Sequence, residues 1–297
     1  MAAAPSSTAV RSPASVLADQ AADREFLARG YLVRPFLGPG ELQAVARLHE
    51  ECYPTLTTDF TATTLDESFE RRWRVSTGLR AIVGATLARL LPRHRMVLGT
   101  FVTKRAQTRQ GRVPLHQDWW VVDNRVQRAL HVWCPLVDVG LDTGCLTVVP
   151  GVHELLGDSP YPIHPKYRTA FHPVLSAVSE RFAKRIPMRA GSALFYDQRM
   201  LHGSEENQGQ HERVAFNCIM VPEDAEPLLY LWEESAPKRF EVLGVDEAFL
   251  CRFRFGTPVR PPYPDGTRWL TSVEDTSEPW RDEDLEALRR VQERLDA

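Results

Sequence analysis

The chain has no apolar run long enough to cross a bilayer, no cysteine pair at CxxC spacing, no positive excess and no internal repeat. Each absence closes a class. A spanning helix needs about 20 consecutive apolar residues, so a membrane partner is not expected. The five cysteines (Cys52, Cys134, Cys145, Cys218, Cys251) are odd in number and scattered. That pattern opposes both a disulfide framework and a cysteine zinc site, and it fits a reducing cytoplasm. A net charge of -3 offers no field for a phosphate backbone, so nucleic acid is not an expected partner. The opening text, MAAAPSSTAVRSPAS, is small and polar without a leucine-rich core. It reads as a disordered leader over residues 1–14, not as a secretory signal. No oligomeric state is written in the pattern.

What is present can bury a core: 297 residues, 43% hydrophobic and 25% charged. We read residues 15–297 as one domain. Ser15–Arg29 has helical spacing, and Gly30 stands where a C-terminal cap would. A short strand, YLVRPFL, and a second helix, ELQAVARLHEECY, follow. Residues 55–72 read as a polar, mobile loop, and GLRAIVGATLARLL as a third helix. After Pro92 the pattern changes to short β-branched and aromatic runs such as MVLGTFVTK, LHQDWWVVD, ALHVWCPLVDV, CLTVVPG, SALFYDQ and RVAFNCIMVP. Strands this short, with no helices alternating between them, indicate a mainly β fold with flanking helices: a sandwich, jelly roll or barrel. Residues 155–184 form a proline-broken insertion suited to a loop or lid over one mouth. A closing amphipathic helix places Leu285, Leu288, Val291 and Leu295 on one stripe.

Within PLHQDWW, an extended backbone throws His116 and Asp118 onto one face and Gln117 onto the other. Alone, such a pair is an ordinary polar patch. A third metal-capable group, His202, ends a later run directly before Gly203. Two imidazoles and one carboxylate form the facial triad that holds non-haem Fe(II) and leaves one side of the octahedron open. Arg213 stands eleven residues after His202, and Ser204 two after it. If the strands carrying them are neighbours, the guanidinium fork and the hydroxyl make a cradle for a dicarboxylate. The ordinary alternative for Arg213 is a surface ion pair with Glu205 or Glu212.

This combination resembles the phytanoyl-CoA dioxygenase family of Fe(II)- and 2-oxoglutarate-dependent oxygenases. FLARGYLVRPFLGPGELQAVARLH, LHQDWWVVD, HVWCPLVDVGLDTGCLTVVPGVH and the set His202, Ser204, Arg213 carry the resemblance over most of the chain. It implies a double-stranded β-helix, that is, a jelly-roll, cupin-like barrel with outer helices. It implies iron on His116, Asp118 and His202, with the distal carboxylate of 2-oxoglutarate on Arg213 and Ser204. Thr103, or Lys104 beside it, would add a polar contact to 2-oxoglutarate. The reaction implied consumes dioxygen and 2-oxoglutarate and oxidises a C–H bond of a small molecule, most simply by hydroxylation. Relatives that halogenate lack the carboxylate ligand, so Asp118 disfavours that outcome. The alanine- and arginine-rich usage fits a GC-rich bacterial gene, and with it a biosynthetic role in secondary metabolism. A cupin-like metalloenzyme without 2-oxoglutarate and a non-catalytic jelly roll that binds a ligand remain as alternatives.

Other candidates have plainer readings. One of Trp119 and Trp120 packs in the core and the other walls a pocket. His131 and His153 are off ligand spacing and read as structural histidines. Asp197 and Gln198 suit either a turn or the orientation of an imidazole. Arg105, Arg109, Arg112, Arg181 and Arg185 read as solvated surface charge.

Overall fold

The computed structural model describes residues 15–297 except 109, 158, 165 and 168, so the expected leader and Arg109 lie outside the described residues. The chain opens with helix α1 (Gln20–Arg29), strand β1 (Tyr31–Pro35) and helix α2 (Pro39–Cys52). The side chain of Asp19 accepts from the Ala22 N–H at the start of α1, and Gly30 closes it at φ 75. Glycine takes that left-handed turn without a Cβ penalty.

Residues 55–72 differ from the expected loop. They hold strand β2 (Phe60–Ala62), one 3-10 turn and the first residues of α3 (Phe69–Leu90), whose cap Ser68 accepts from the Arg71 N–H. The reason lies in Arg72, which made the text look polar. It is buried, and it donates to the carbonyls of Asp66, Cys251 and Arg252. A charged side chain used as a tertiary clamp leaves no local signature.

Two antiparallel sheets form the body. Strands β3 (His94–Lys104), β5 (Leu130–Pro135), β8 (Ser192–Asp197) and β10 (Arg213–Pro222) join β1 and β2 in the order β1-β8-β5-β10-β3-β2. Strands β4 (Val113–His116), β6 (Leu146–Val148), β7 (Lys184–Ile186) and β9 (His202–Ser204) pair in the order β4-β9-β6-β7. The sheets face one another: the Tyr196 ring of β8 lies 4.8 Å from the His202 ring of β9, and Lys104 of β3 reaches Ser204. This is the expected jelly roll with outer helices. Its hydrogen-bonded ladders make two facing sheets and do not close into one barrel.

Period-two alternation along β10 sorts its side chains. Phe216, Cys218 and Met220 point outward and pack with Phe26, Val45, Leu79 and Val83 of the three helices. Each such burial contributes about 1.5–3 kcal/mol. Arg213, Asn217 and Ile219 take the opposite face and line the space between the sheets.

The insertion contains α4 (Leu175–Phe182) and packs through Phe171, Val178 and Phe182 against α6 (Asp282–Asp296), whose Leu285, Leu288 and Val291 are buried as its stripe predicts. A third sheet, β11 (Leu228–Trp232), β12 (Arg239–Val245) and β13 (Thr267–Glu274), with α5 (Glu247–Arg252) before β13, was not legible in the pattern. No residue of β13 is fully buried, and it is held by pairing with β12 and by Leu270 and Val273, which pack against the cluster of Trp120, Tyr230 and Phe240. Among the described residues no helix is long and apolar enough to cross a membrane.

Candidate metal centre

Two strand termini bring the imidazoles together. β4 ends at His116, β9 begins at His202, and the register sets the two opposite one another with ring centroids 4.4 Å apart. The strands approach closely because residue 203 is glycine. A Cβ there would lie 2.7 Å from the Val113 carbonyl oxygen and 3.0 Å from the Leu115 nitrogen. His116 Nδ1 lies 2.9 Å from the Pro114 carbonyl and His202 Nδ1 3.1 Å from that of Met200. Donation to those carbonyls fixes the proton on Nδ1 and leaves each Nε2 lone pair for a metal.

Asp118 arrives by another route than expected. The strand stops at His116, so period two does not place the carboxylate. A loop does. Gln198 accepts from the Val121 N–H and donates to the Trp119 carbonyl, and the Trp120 N–H donates to Tyr161. With its backbone groups satisfied this way, the segment needs no ladder. Asp118 Oδ1 lies 3.5 Å from His116 Nε2, and Oδ2 3.6 Å from His202 Nε2. One donor atom from each of the three residues falls within 4.8 Å of the others. Two nitrogens and one oxygen so disposed suit an octahedral ion with one side left open.

The electrostatics agree with a cation site. Burial, and then the neighbouring His116, push His202 down to about 4, so its ring is a neutral ligand near neutrality. For His116 burial works against the charge, but the Asp118 carboxylate outweighs it and the pKa rises. Burial alone would raise Asp118; the facing imidazoles overcome it and hold the carboxyl far below its usual range. The carboxylate is thus surrounded by groups that favour its charged form.

Gly203→Ala is expected to cost about 1–3 kcal/mol as overpacking. Since the added methyl meets backbone between the two imidazoles, Fe(II) affinity should fall about ten- to a hundredfold, as read by anaerobic titration. Unchanged affinity would show that the close β4–β9 approach is dispensable.

A cavity of about 150 Å³ runs from this cluster to Arg213. Arg213 is 1% exposed, donates Nη1 to the Val102 carbonyl at 3.1 Å, and sits over the Trp133 ring. Its Nε has no partner, and among the described residues no carboxylate pairs with it. Burial pulls it down to about 10. The surface ion pair is therefore excluded, and Glu205 pairs with Arg112 instead, at 3.2 Å. Ser204 lines the same end of the cavity. Its Oγ accepts from Lys104 Nζ at 2.7 Å, which leaves the hydroxyl proton free to donate. Lys104 also donates to the Ser204 and Glu205 carbonyls, and burial followed by the charge of Arg213 draws it down to about 7.

Thr103 is not in the cavity. It pairs with Val214 on the outward face of the sheet, and its Oγ1 meets His49 Nε2 of α2 at 3.0 Å. Adjacent strand residues face opposite ways, so Thr103 and Lys104 cannot both point inward. The inward polar residues of β3 are Thr100 and Lys104.

Three lining residues were missed. His131, Tyr196 and Asn217 border the cavity, and His131 Nδ1 lies 3.4 Å from Asp118 Oδ2. Only the inward parity of their strands could have revealed them. Trp119 lines the cavity and stacks on Phe255, whereas Trp120 packs with Tyr167, Tyr230 and Phe240, so the two indoles do part company. His153 meets the Leu27 carbonyl at 3.0 Å, and Asp197 pairs with Arg128 and Arg199. Neither touches the cluster. None of the described residues between 155 and 184 lines this cavity; several border a separate one with Gln117 and Trp120.

Comparison with known proteins gives one family. The sequence profile described as phytanoyl-CoA dioxygenase (PhyH) matches residues 29–215, more than half of the chain. The human protein named phytanoyl-CoA dioxygenase, peroxisomal, is 25% identical over 143 residues, 46% of this chain and 42% of its own length. The protein of that name from Bos taurus is 27% identical over 112 residues, 36% of this chain and 33% of its own. The matches thus span less than half of these curated relatives. Among solved structures, the non-heme alpha ketoglutarate dependent carbocyclase SnoK from nogalamycin biosynthesis superposes with a TM-score of 0.51 at 20% identity. That likeness covers 88% of this chain and 100% of SnoK, and it supports the fold.

Proposed function

The chain belongs to the phytanoyl-CoA dioxygenase family, and from that premise we propose that it is an Fe(II)- and 2-oxoglutarate-dependent dioxygenase oxidising a C–H bond of a neutral small molecule. One observation carries the cosubstrate: Arg213, a buried guanidinium with an unpartnered Nε and no carboxylate beside it, at the far end of the cavity from the metal-capable triad. A buried charge left unpaired is costly unless a ligand completes it. A dicarboxylate reaching from the metal to Arg213 does so.

In this reading His116, Asp118 and His202 hold Fe(II). Iron and 2-oxoglutarate, once bound, supply with dioxygen the oxidising power for C–H oxidation, 2-oxoglutarate losing carbon dioxide to become succinate. The chain's own residues do the rest. Arg213 grips the distal carboxylate through its fork, and Ser204 donates its hydroxyl proton to it. Lys104 holds Ser204 in that rotamer, and Trp133 shields the pair from water. Phe60, Leu98, Val102, Trp119 and Ile219 supply an apolar wall, and Thr64 and Thr100 add neutral hydroxyls.

Among the described residues that line the cavity only the ligands and Arg213 are charged, with Lys104 turned to Ser204 beside Arg213, so a charged group brought to the metal end would lose its hydration without compensation. The part of the substrate that reaches the metal is therefore neutral. Coenzyme A is not carried over from the relatives' name. Among the described residues, three arginines near lining segments already pair with carboxylates: Arg105 with Asp59, Arg112 with Glu205, Arg254 with Glu67. Hydroxylation of a secondary metabolite is the outcome we favour.

The test is succinate formation from 2-oxoglutarate by the Fe(II)-loaded protein, with thermal shift as a binding readout. Succinate that disappears when either component is omitted, and a melting temperature raised by 2-oxoglutarate only with metal present, are expected. Oxygen consumption that continues without 2-oxoglutarate would favour a cupin-like enzyme and overturn the proposal.

A further inference from the structure

His131 lies on β5 with 1% of its surface exposed, and its ring is held on three sides. Tyr196 stacks against it at 4.9 Å and 19°. The side-chain amide of Asn217 meets Nδ1 at 2.9 Å. Asp118 Oδ2 lies 3.4 Å from the same Nδ1. Apart from imidazoles, no donor among the described residues reaches the Asp118 carboxylate. That matters because Asp118 sits on a loop, while both other ligands are set by strand pairing and carbonyl contacts.

The protonation of this group follows from polar accounting. If the Asn217 amide donates to Nδ1, the ring proton sits on Nε2, which is buried without a partner. The Nδ1 lone pair then faces a carboxylate, and Asn217 Oδ1 is left unpaired. Turning the amide over removes two of these costs, the lone pair opposed to a carboxylate and the unpartnered ring N–H. Asn217 Oδ1 then accepts from Nδ1–H and the same proton faces Asp118 Oδ2, while Nε2 becomes an unpaired acceptor and the amide N–H group takes the place Oδ1 held.

We propose that His131 is a positioning residue of the metal centre: its Nδ1–H, clamped between Asn217 and the Tyr196 ring, engages one oxygen of Asp118 and sets that carboxylate to ligate through a single oxygen. The inference rests on the reading of the triad as an iron site. Without the clamp the carboxylate is free to rotate, to ligate through both oxygens and to close the side of the ion that the substrate and dioxygen need.

The test compares wild type, His131→Leu and His131→Asn by anaerobic Fe(II) titration and by the visible charge-transfer band formed with 2-oxoglutarate. His131→Leu keeps an apolar filler but no donor, and should lose about 10–100-fold in Fe(II) affinity and shift the band. His131→Asn places an amide N–H near the position of Nδ1 and should recover most of that loss. Should His131→Leu fold poorly, Asn217→Leu removes the opposing clamp and should weaken Fe(II) binding in the same direction by a smaller factor. Wild-type affinity and an unshifted band in His131→Leu, or His131→Asn as weak as His131→Leu, would overturn the role. Wild-type protein that takes up no Fe(II) would overturn the iron reading and this inference together, whereas a working wild type lets the variants judge His131 alone.

Discussion

Asp118→Ala abolishes succinate formation from 2-oxoglutarate and lowers Fe(II) affinity by more than about 100-fold, because a ligand is lost and not merely one of its supports. Three imidazoles, those of His116, His131 and His202, surround this carboxylate. It is also what holds the pKa of His116 up against burial. Removing it leaves two nitrogen donors and no negative charge, too little to neutralise a divalent ion in a half-buried site. The fold should survive, since the loop is held by backbone contacts to Gln198 and Tyr161 and not by the carboxylate. The check is succinate measured beside a far-ultraviolet spectrum and a melting curve. Undiminished turnover in a folded variant would remove Asp118 from the metal.

Arg213→Met is the second large effect, and it separates binding from stability. Truncating one partner of a buried charged contact costs about 2–5 kcal/mol of binding. At about 3 kcal/mol, the KM for 2-oxoglutarate should rise about 100-fold. Arg213→Lys keeps the charge but not the planar fork, and should recover only part of the affinity. The ligand-free protein should behave differently. There the guanidinium is buried with no carboxylate partner among the described residues, its charge compensated by little but one carbonyl and the Trp133 face. Replacing an uncompensated buried charge with an apolar side chain of similar reach is often neutral or stabilising. The variant should therefore melt no lower than wild type without 2-oxoglutarate, and lose the melting shift that 2-oxoglutarate gives. A variant that melts several degrees lower and binds 2-oxoglutarate normally would make Arg213 a structural residue.

Much of the site is legible in the sequence, and the limits have identifiable causes. Donor chemistry is a property of residue type, so His116, Asp118 and His202 announce themselves wherever they stand. Ser204 and Arg213, at their spacing from His202, add groups suited to a dicarboxylate. Thr103 misled because a strand carries two faces, and nothing local says which is inward. Register decides it: Arg213 pairs with Lys104 and Asn217 with Thr100, so Thr103 pairs with the outward Val214. Residues 55–72 misled because Arg72 donates its hydrogen bonds to carbonyls that include those of the distant Cys251 and Arg252. His131 was passed over because its partner, Asp118, is brought to it by a loop.

The sequence by itself determined the helix caps at Asp19 and Gly30, the alternation that sends Arg213 and Asn217 to one side of β10, and a donor set suited to a metal ion and a dicarboxylate. These follow from local backbone geometry and from what each side chain can bind. Tertiary structure alone decided that a loop pinned by Gln198 delivers Asp118, that Gly203 lets two strands bring their imidazoles together, and that Lys104 faces the site where Thr103 does not. Those outcomes depend on which strands pair, in what register and at what distance, and such contacts join residues that the chain itself keeps far apart.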